Sequence, residues 1–207
     1  MDQPLDAERA ARMRHANYLI KCLADPEAGA RVRAAQLLGE IRELRAVEPL
    51  GAALFDAEAV VRQQAIRALG RIGVPALDAL IAALGNPDPL VRQSAAQALG
   101  QIGEARSVGP LIGLLHDSHD GARSQAAFAL NKIGAPAVEP LIAALRDPDP
   151  GFRWQVVRLL GGLGDPRALP ELERLAQEDK GTARGAGSLL SVADAARQAA
   201  ERIKSKK

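Results

Sequence analysis

The sequence predicts an all-α protein, folded as a right-handed α-solenoid of about six helix pairs. The phrase VRQSAAQALGQIG, which begins at Val91, recurs with variations every 30 or 31 residues. The 207 residues are 47% hydrophobic but only 2% aromatic, so alanine and leucine must supply the core. Small aliphatic side chains favour closely packed helices. A repeat of this length is one supersecondary unit that buries its apolar face against its neighbours.

Three columns define the repeat. Each copy has an arginine, an aspartate or asparagine six residues before it, and a glycine or asparagine eight residues after it. The arginines are Arg31, Arg62, Arg92, Arg123 and Arg153, and the residues before them are Asp25, Asp56, Asn86, Asp117 and Asp147. We therefore predict one array over residues 1–207, not two domains. Its repeats are approximately 6–42, 43–73, 74–103, 104–134, 135–164 and 165–203.

Each repeat predicts a short first helix and a longer second helix. Residues 107–115 and 137–145 are typical first helices. A second helix follows DPDP-like text, in which Asp88 suits the N-cap and Pro89 the first turn. Glycines that end the second helices are expected to be left-handed caps: Gly73, Gly103, Gly134 and Gly164.

The two ends fit the pattern less closely. Residues 6–24 predict the first helix of the first repeat, and residues 169–177 predict the first helix of the sixth. Residues 181–203 predict a long, degenerate second helix in which Arg184 continues the arginine column. Atypical terminal repeats are expected to cap the array.

The column of Pro49, Asp56 and Arg62, with its copies, resembles the HEAT repeat. The wording VRxxAxxALGxIG followed by AVEPLIAAL resembles the HEAT-like repeats named after phycobilisome lyases. This resemblance implies a ladder in which the aspartate of one repeat accepts from the arginine of the next. The implied acceptors are Asp25, Asp56, Asp117 and Asp147, and the donors are Arg62, Arg92, Arg153 and Arg184. Asn86 would make a weaker, uncharged link to Arg123.

The same resemblance implies that the second helices line a concave face. Helical geometry places the residues five and nine positions after each arginine on the outer side of that helix, as i, i+4 neighbours. These pairs are Gln36/Glu40, Arg67/Arg71, Gln97/Gln101, Phe128/Lys132 and Arg158/Gly162. A further outward column, one residue after each arginine, holds Val32, Gln63, Gln93, Ser124 and Trp154. They vary freely while the framework columns barely change, which indicates a binding surface.

We therefore predict a non-enzymatic scaffold that binds another protein on this face. The predicted contact residues are Trp154, Phe128, Arg158, Lys132, Arg67, Arg71, Gln97 and Gln101. Aromatic and cationic side chains are enriched at interface hot spots. Glu40 is the one anion in the paired columns against four cations, which favours an acidic partner surface. Alternatively, Trp154 folds over its own turn and Phe128 covers a gap toward the C-terminal cap.

Catalytic, metal and cofactor sites are not predicted. His116, Asp117, His119 and Asp120 look superficially like a metal cluster but align with ordinary loop and capping positions of other repeats. Cys22 stands between apolar neighbours and is expected to be inert core. No histidine precedes a glutamate, as HEAT-type di-iron hydroxylases require, and no phosphate loop is present.

Two other functions stay open. One is a chaperone-like bilin lyase or isomerase subunit that acts on a phycobiliprotein-type client, which the resemblance implies. The other is nucleic-acid binding, for which a net charge of +2 is too mild to argue by itself. The absence of a signal-like or membrane-spanning apolar run leads us to expect a cytoplasmic protein. Residues 118–134 depart from the sequence of the other repeats, which favours a natural chain over a consensus design.

Overall fold

The computed structural model describes residues 3–185 and 188–205, and the side chains of residues 10–182 and 191–205. It contains two compact units, one ending at Ile102 and the other beginning at Gly103. Each is described by itself. The boundary lies beside the predicted junction of the third and fourth repeats, and the single array stays a prediction.

From its second helix onward, the first unit alternates long and short helices as the sequence predicts, whereas the first helix of the first repeat is long. Its helices are α1 (Gln3–Cys22), α2 (Ala28–Glu40), α3 (Val47–Ala53), α4 (Ala59–Ile72), α5 (Leu77–Ala83) and α6 (Pro89–Ile102). A short 3-10 turn leads into each of the short helices α3 and α5. Asp88 caps α6 by accepting a hydrogen bond from the Leu90 amide at 2.9 Å, which confirms the predicted start of that helix.

The second unit repeats the alternation and ends differently. Its elements are α7 (Val108–Leu114), α8 (Asp120–Ile133), α9 (Val138–Ala144), α10 (Pro150–Leu163), α11 (Leu169–Glu178), β1 (Thr182–Gly185), β2 (Ser188–Ser191) and α12 (Val192–Lys204). Asp149 caps α10 by accepting from the Gly151 amide at 2.9 Å. No helix in the described part of the chain is long and apolar enough to cross a membrane.

The predicted long helix from Gly181 is wrong over its first half. Strand β1 pairs antiparallel with β2, with Thr182 opposite Ser191. Three glycines within seven residues remove the helix propensity of this segment. The Ser191 hydroxyl then accepts from the Asp194 amide and caps α12, so the helix begins after the hairpin. The side chain of Arg184 lies outside the described side chains.

The glycine column allows the second helices to pack closely. A Cβ added at Gly39 would lie 2.7 Å from the Cα of Ala68, which fixes a tight contact between α2 and α4. In the second unit, a Cβ added at Gly161 would lie 2.9 Å from the Cβ of Ala199 on α12. Leucines of the short helices fill the rest of the core and are fully buried: Leu50, Leu80, Leu111 and Leu141.

The arginine ladder runs in the direction opposite to the implied one. Arg31 donates through Nε to Asp56 at 2.7 Å, and Arg153 donates through Nε to Asp179 at 2.8 Å. Each of these two arginines therefore bonds an acceptor that lies after the first helix of the next repeat. The reason is local, because Nη1 of Arg31 also donates to the Asp25 carbonyl of its own loop and turns the other N–H groups toward the next loop.

Asn86 changes one link of the ladder. Its buried amide donates to the Leu54 carbonyl at 2.9 Å, in place of the predicted link to Arg123. Asp88 takes over the carboxylate role and pairs with Arg62 at 2.8 Å. The ion pair is thus retained by moving the acid two residues along the chain.

The arginine–aspartate pairs of the ladder predict how the free energy of unfolding depends on pH. The hydrogen bond from Arg153 lowers the pKa of Asp179, whose side chain is only 6% exposed. Because the pKa is lower in the folded state, the carboxylate stabilises the fold at pH values above its unfolded-state pKa. This contribution to stability is lost as the pH falls through the folded-state pKa. We expect Asp179→Asn to reduce the free energy of unfolding by about 2 kcal/mol at pH 7. The deficit should shrink as the pH falls through this lowered pKa, as measured by urea unfolding at a series of pH values. Asp194→Asn, at an exposed ion pair, is the control and should cost little at either pH.

Arg42 occupies the column that is glycine in the other four repeats. All four glycines have positive φ. Gly164 is in the predicted left-handed helical conformation, whereas Gly73 and Gly134 combine positive φ with extended ψ. Among the described residues, Arg42 is the one non-glycine residue with positive φ, at 50°. Its side chain therefore costs stability at this position.

We expect Arg42→Gly to raise the free energy of unfolding by about 1 kcal/mol, because glycine removes the Cβ clash of the left-handed backbone. Urea unfolding of the purified protein measures this change. The reverse test is Gly134→Ala, which should lower stability by about 1–3 kcal/mol. Equal stability of both variants and the wild type would show that this column carries no backbone strain.

Candidate binding surface

The predicted outward pairs are exposed on the second helices. All ten residues five and nine positions after the repeat arginines are exposed, whereas the alanines and leucines between them are buried, apart from the half-buried Leu37. In the pair on α2, the Gln36 amide donates to Glu40 at 2.9 Å, as expected of i, i+4 neighbours. We call the exposed side chains of α2, α4, α6, α8 and α10 the second-helix surface.

Four predicted contact residues lie together in the first unit. Arg67, Arg71, Gln97 and Gln101 line a cavity of about 480 Å³ on α4 and α6. Arg42, Gln63 and Ser94 complete its polar lining, and we call this cavity the basic groove. The contact-residue prediction omits Arg42 because it stands in the turn after α2. The sequence does give one indication of its importance, because Arg42 occupies a position at which the other copies of the repeat have glycine.

The basic groove is cationic and contains an unpaired donor. Its described lining includes three guanidinium groups and no carboxylate. Ser94 donates to the Gln63 side-chain oxygen at 3.2 Å, while the buried Gln63 Nε2 has no hydrogen-bond partner among the described residues. At the rim, Glu40 lies 3.6 Å from Arg71 in a loose, exposed pair. The groove is therefore suited to a ligand that carries negative charge and hydrogen-bond acceptors.

Trp154 is the centre of the second unit's surface. The Arg158 guanidinium lies 4.7 Å from the centroid of its indole ring, which is a cation–π contact. Both residues line two cavities, one of about 540 Å³ between α10 and α12 and one of about 570 Å³ between α8 and α10. The contact with Arg158, one turn along the same helix, agrees with the alternative in which Trp154 folds over its own helix. Trp154 nevertheless also forms a wall of both cavities.

The structure separates Phe128 and Lys132 from these two cavities. Both are exposed on α8, and Phe128 is 63% exposed, so it does not cover a gap. Neighbouring residues Ala127 and Asn131 line the cavity instead. Phe128 therefore offers an exposed apolar ring beside the cavity and does not form part of its wall.

The histidine cluster has structural contacts. His116 stacks on Phe152 with ring centroids 3.9 Å apart, and its Nε2 lies 3.2 Å from Asp147. Over the described residues, no group of three or more histidine, cysteine, aspartate or glutamate side chains is placed to hold a metal ion. Cys22 is half-buried and not core, and its hydrogen bond with Tyr18 raises the pKa of that phenol.

Stacked pairs of short and long helices joined by an arginine–aspartate ladder define an all-α repeat protein of the solenoid class. The family model of HEAT repeats matches residues 16–79, 49–131 and 108–191. The chain belongs to the HEAT repeat family, as the repeat wording predicts.

Solved structures agree with this assignment. The complex of CpcE and CpcF of phycocyanin lyase from Nostoc sp. PCC7120 is similar at 29% identity and a TM-score of 0.53, over 78% of this chain and 70% of that chain. An engineered protein from the Northeast Structural Genomics Consortium is similar at 22% identity and a TM-score of 0.51, over 92% and 97% of the two chains. The second likeness shows the fold alone. No curated protein sequence matches significantly.

Proposed function

We propose that this HEAT repeat protein is a non-enzymatic, cytoplasmic scaffold that binds another protein through the second-helix surface. One observation carries the proposal: the residues that vary between repeats are exposed or half-buried on the second helices, and several of them line cavities, while the apolar framework stays constant and buried. A surface already held by helix packing loses little conformational entropy when a partner binds. The same framework can thus present different chemistry at each repeat.

In this proposal the two units contribute different contacts. Trp154 and Arg158 anchor the partner on the second unit, with Phe128 and Lys132 adding apolar and cationic contacts on α8. A half-buried tryptophan between two cavities has the features of an interface hot spot. Arg67, Arg71, Gln97 and Gln101 bind acidic and polar groups on the first unit.

Partner capture tests the proposal. Wild type and the Trp154→Ala, Phe128→Ala double variant are used as bait in lysate of the source cells, and captured proteins are then purified for affinity measurement. The matched control is the Phe55→Ala, Val74→Ala double variant. These side chains are 67% and 54% exposed, and both residues lie outside the second helices. We expect the first double variant alone to lose the partner. Equal affinity of all three baits for the purified partner would contradict the proposal.

A second candidate is a bilin lyase or isomerase subunit acting on a phycobiliprotein-type client. The likeness to the CpcE and CpcF complex of phycocyanin lyase favours it. This role predicts a new visible absorbance band, retained after denaturation, when the protein is incubated with a bilin and the client. A spectrum equal to that of bilin and client alone would remove this candidate.

A further inference from the structure

We infer that the basic groove binds an extended acidic segment of the partner polypeptide, and that Arg42 sets this preference. The inference rests on the proposed binding function and specifies the chemistry of the ligand. Three features of the first unit support it: the conformation of Arg42, the donors that line the groove, and the length of the groove across α4, α6 and the turn after α2.

Arg42 holds its position at a conformational cost. Its φ of 50° lies in the left-handed region, where the corresponding residues of the other repeats are glycines. It lines both the basic groove and an adjoining cavity of about 320 Å³, whose lining also includes Glu40 and Arg71. Strained residues of this kind concentrate at ligand-binding sites. The arginine adds charge at the mouth of the groove where glycine would be less strained.

The donors of the groove match carboxylates and peptide groups. Arg42, Arg67 and Arg71 are exposed and suited to bidentate pairing with carboxylates. The Glu40–Arg71 pair shows that a carboxylate fits against one of these guanidinium groups. Amides of Gln97 and Gln101, together with the unpaired Gln63 Nε2, are suited to the carbonyl groups of a peptide backbone.

The length of the groove favours a polypeptide. Its lining comes from the turn after α2, from α4 and from α6. Packed helices lie about 8–10 Å apart, so the three backbone segments that carry these side chains span about 16–20 Å. An extended peptide covers that length in about six residues, at about 3.3 Å per residue, whereas a single phosphate reaches one end only. No aromatic side chain is among the described lining residues, so the groove lacks the stacking platform typical of single-stranded nucleic-acid sites.

Fluorescence anisotropy with a labelled ten-residue peptide of alternating glutamate and serine tests the inference on the full chain. We expect saturable binding that weakens by about tenfold or more in the Arg42→Gln, Arg67→Gln, Arg71→Gln triple variant. The matched control removes the same charge at exposed sites on α1, outside the groove and the second-helix surface, through Arg12→Gln, Arg14→Gln and Lys21→Gln. It should bind within about twofold of wild type.

Two further variants separate the possible causes of a loss. Arg42→Gly relieves backbone strain, so weaker peptide binding by this variant reports the lost guanidinium and not misfolding. Phe55→Ala, at an exposed site outside the groove and the second helices, should leave peptide affinity unchanged. If the acidic peptide fails to bind while a partner still needs Trp154, the inference falls and the proposed function stands.

Several binding results would overturn the inference. These are no binding of the acidic peptide, equal binding of a peptide with glutamine in place of glutamate, equal losses in the two triple variants, or tighter binding of a single-stranded oligonucleotide through the same arginines. Full displacement of the peptide by equimolar inorganic phosphate would also contradict the extended mode, because phosphate contacts one end of the groove only.

Discussion

Gly39→Ala is expected to lower the free energy of unfolding by about 2 kcal/mol. The added Cβ would lie 2.7 Å from the Cα and 2.9 Å from the Cβ of Ala68. Both atoms belong to or adjoin the α4 backbone, so no flexible side chain can move aside. Helices α2 and α4 must separate instead, which opens gaps along their contact and outweighs the better helix propensity of alanine. Urea unfolding of the purified variant measures the loss.

Gly113→Ala is the matched control for this substitution. Gly113 is exposed on α7, and an added Cβ would meet nothing within 4 Å. Alanine should therefore raise stability by up to about 1 kcal/mol through helix propensity alone. Opposite signs for the two substitutions would identify the glycine column as a packing requirement. A neutral or stabilising Gly39→Ala would refute the close approach of the second helices.

Trp154→Ala is expected to weaken partner binding by about 2–4 kcal/mol, the largest effect of any single substitution on the second-helix surface. The change removes the aromatic wall that two cavities share and leaves Arg158 without its cation–π contact. Titration calorimetry with the purified partner measures the loss. Since Trp154 is only half-buried, thermal unfolding should show that the variant remains folded.

Trp154→Phe and Arg158→Gln divide this effect into its parts. Phenylalanine keeps an aromatic face for Arg158 and part of the wall, so it should retain more affinity than alanine. Arg158→Gln removes the cation and leaves the indole ring. An affinity of Trp154→Ala within about twofold of wild type would exclude Trp154 as an anchor.

The helices could be predicted from the sequence because repeated local signals agree. Asp88 and Asp149 mark the starts of α6 and α10, and the recurring glycines mark helix ends. Extending the repeat to residue 203 does not predict the hairpin, because the glycines of this segment disfavour the helix that the repeat pattern requires. The direction of the ladder depends on how the carbonyls of its own loop orient each guanidinium, which the spacing of the columns does not indicate.

Sequence periodicity predicts the exposed columns but not which of them share a cavity. Arg67, Arg71, Gln97 and Gln101 lie in one groove because α4 and α6 are neighbours in register. Phe128 falls outside the cavity between α8 and α10, since a rotation of one residue on the helix places Ala127 there. The importance of Arg42 follows from its backbone conformation, which only the glycines of the other repeats indicate in the sequence.

Oxidative footprinting of side chains in the purified complex tests the central claim most directly. Phe128 and Trp154 on the second-helix surface are the reporters, and the similarly exposed Phe55 and Tyr18 lie away from it. We expect the partner to reduce oxidation of Phe128 and Trp154 and to leave Phe55 and Tyr18 unchanged. Protection of Phe55 and Tyr18, with Phe128 and Trp154 oxidised as in the free protein, would contradict binding through the second helices.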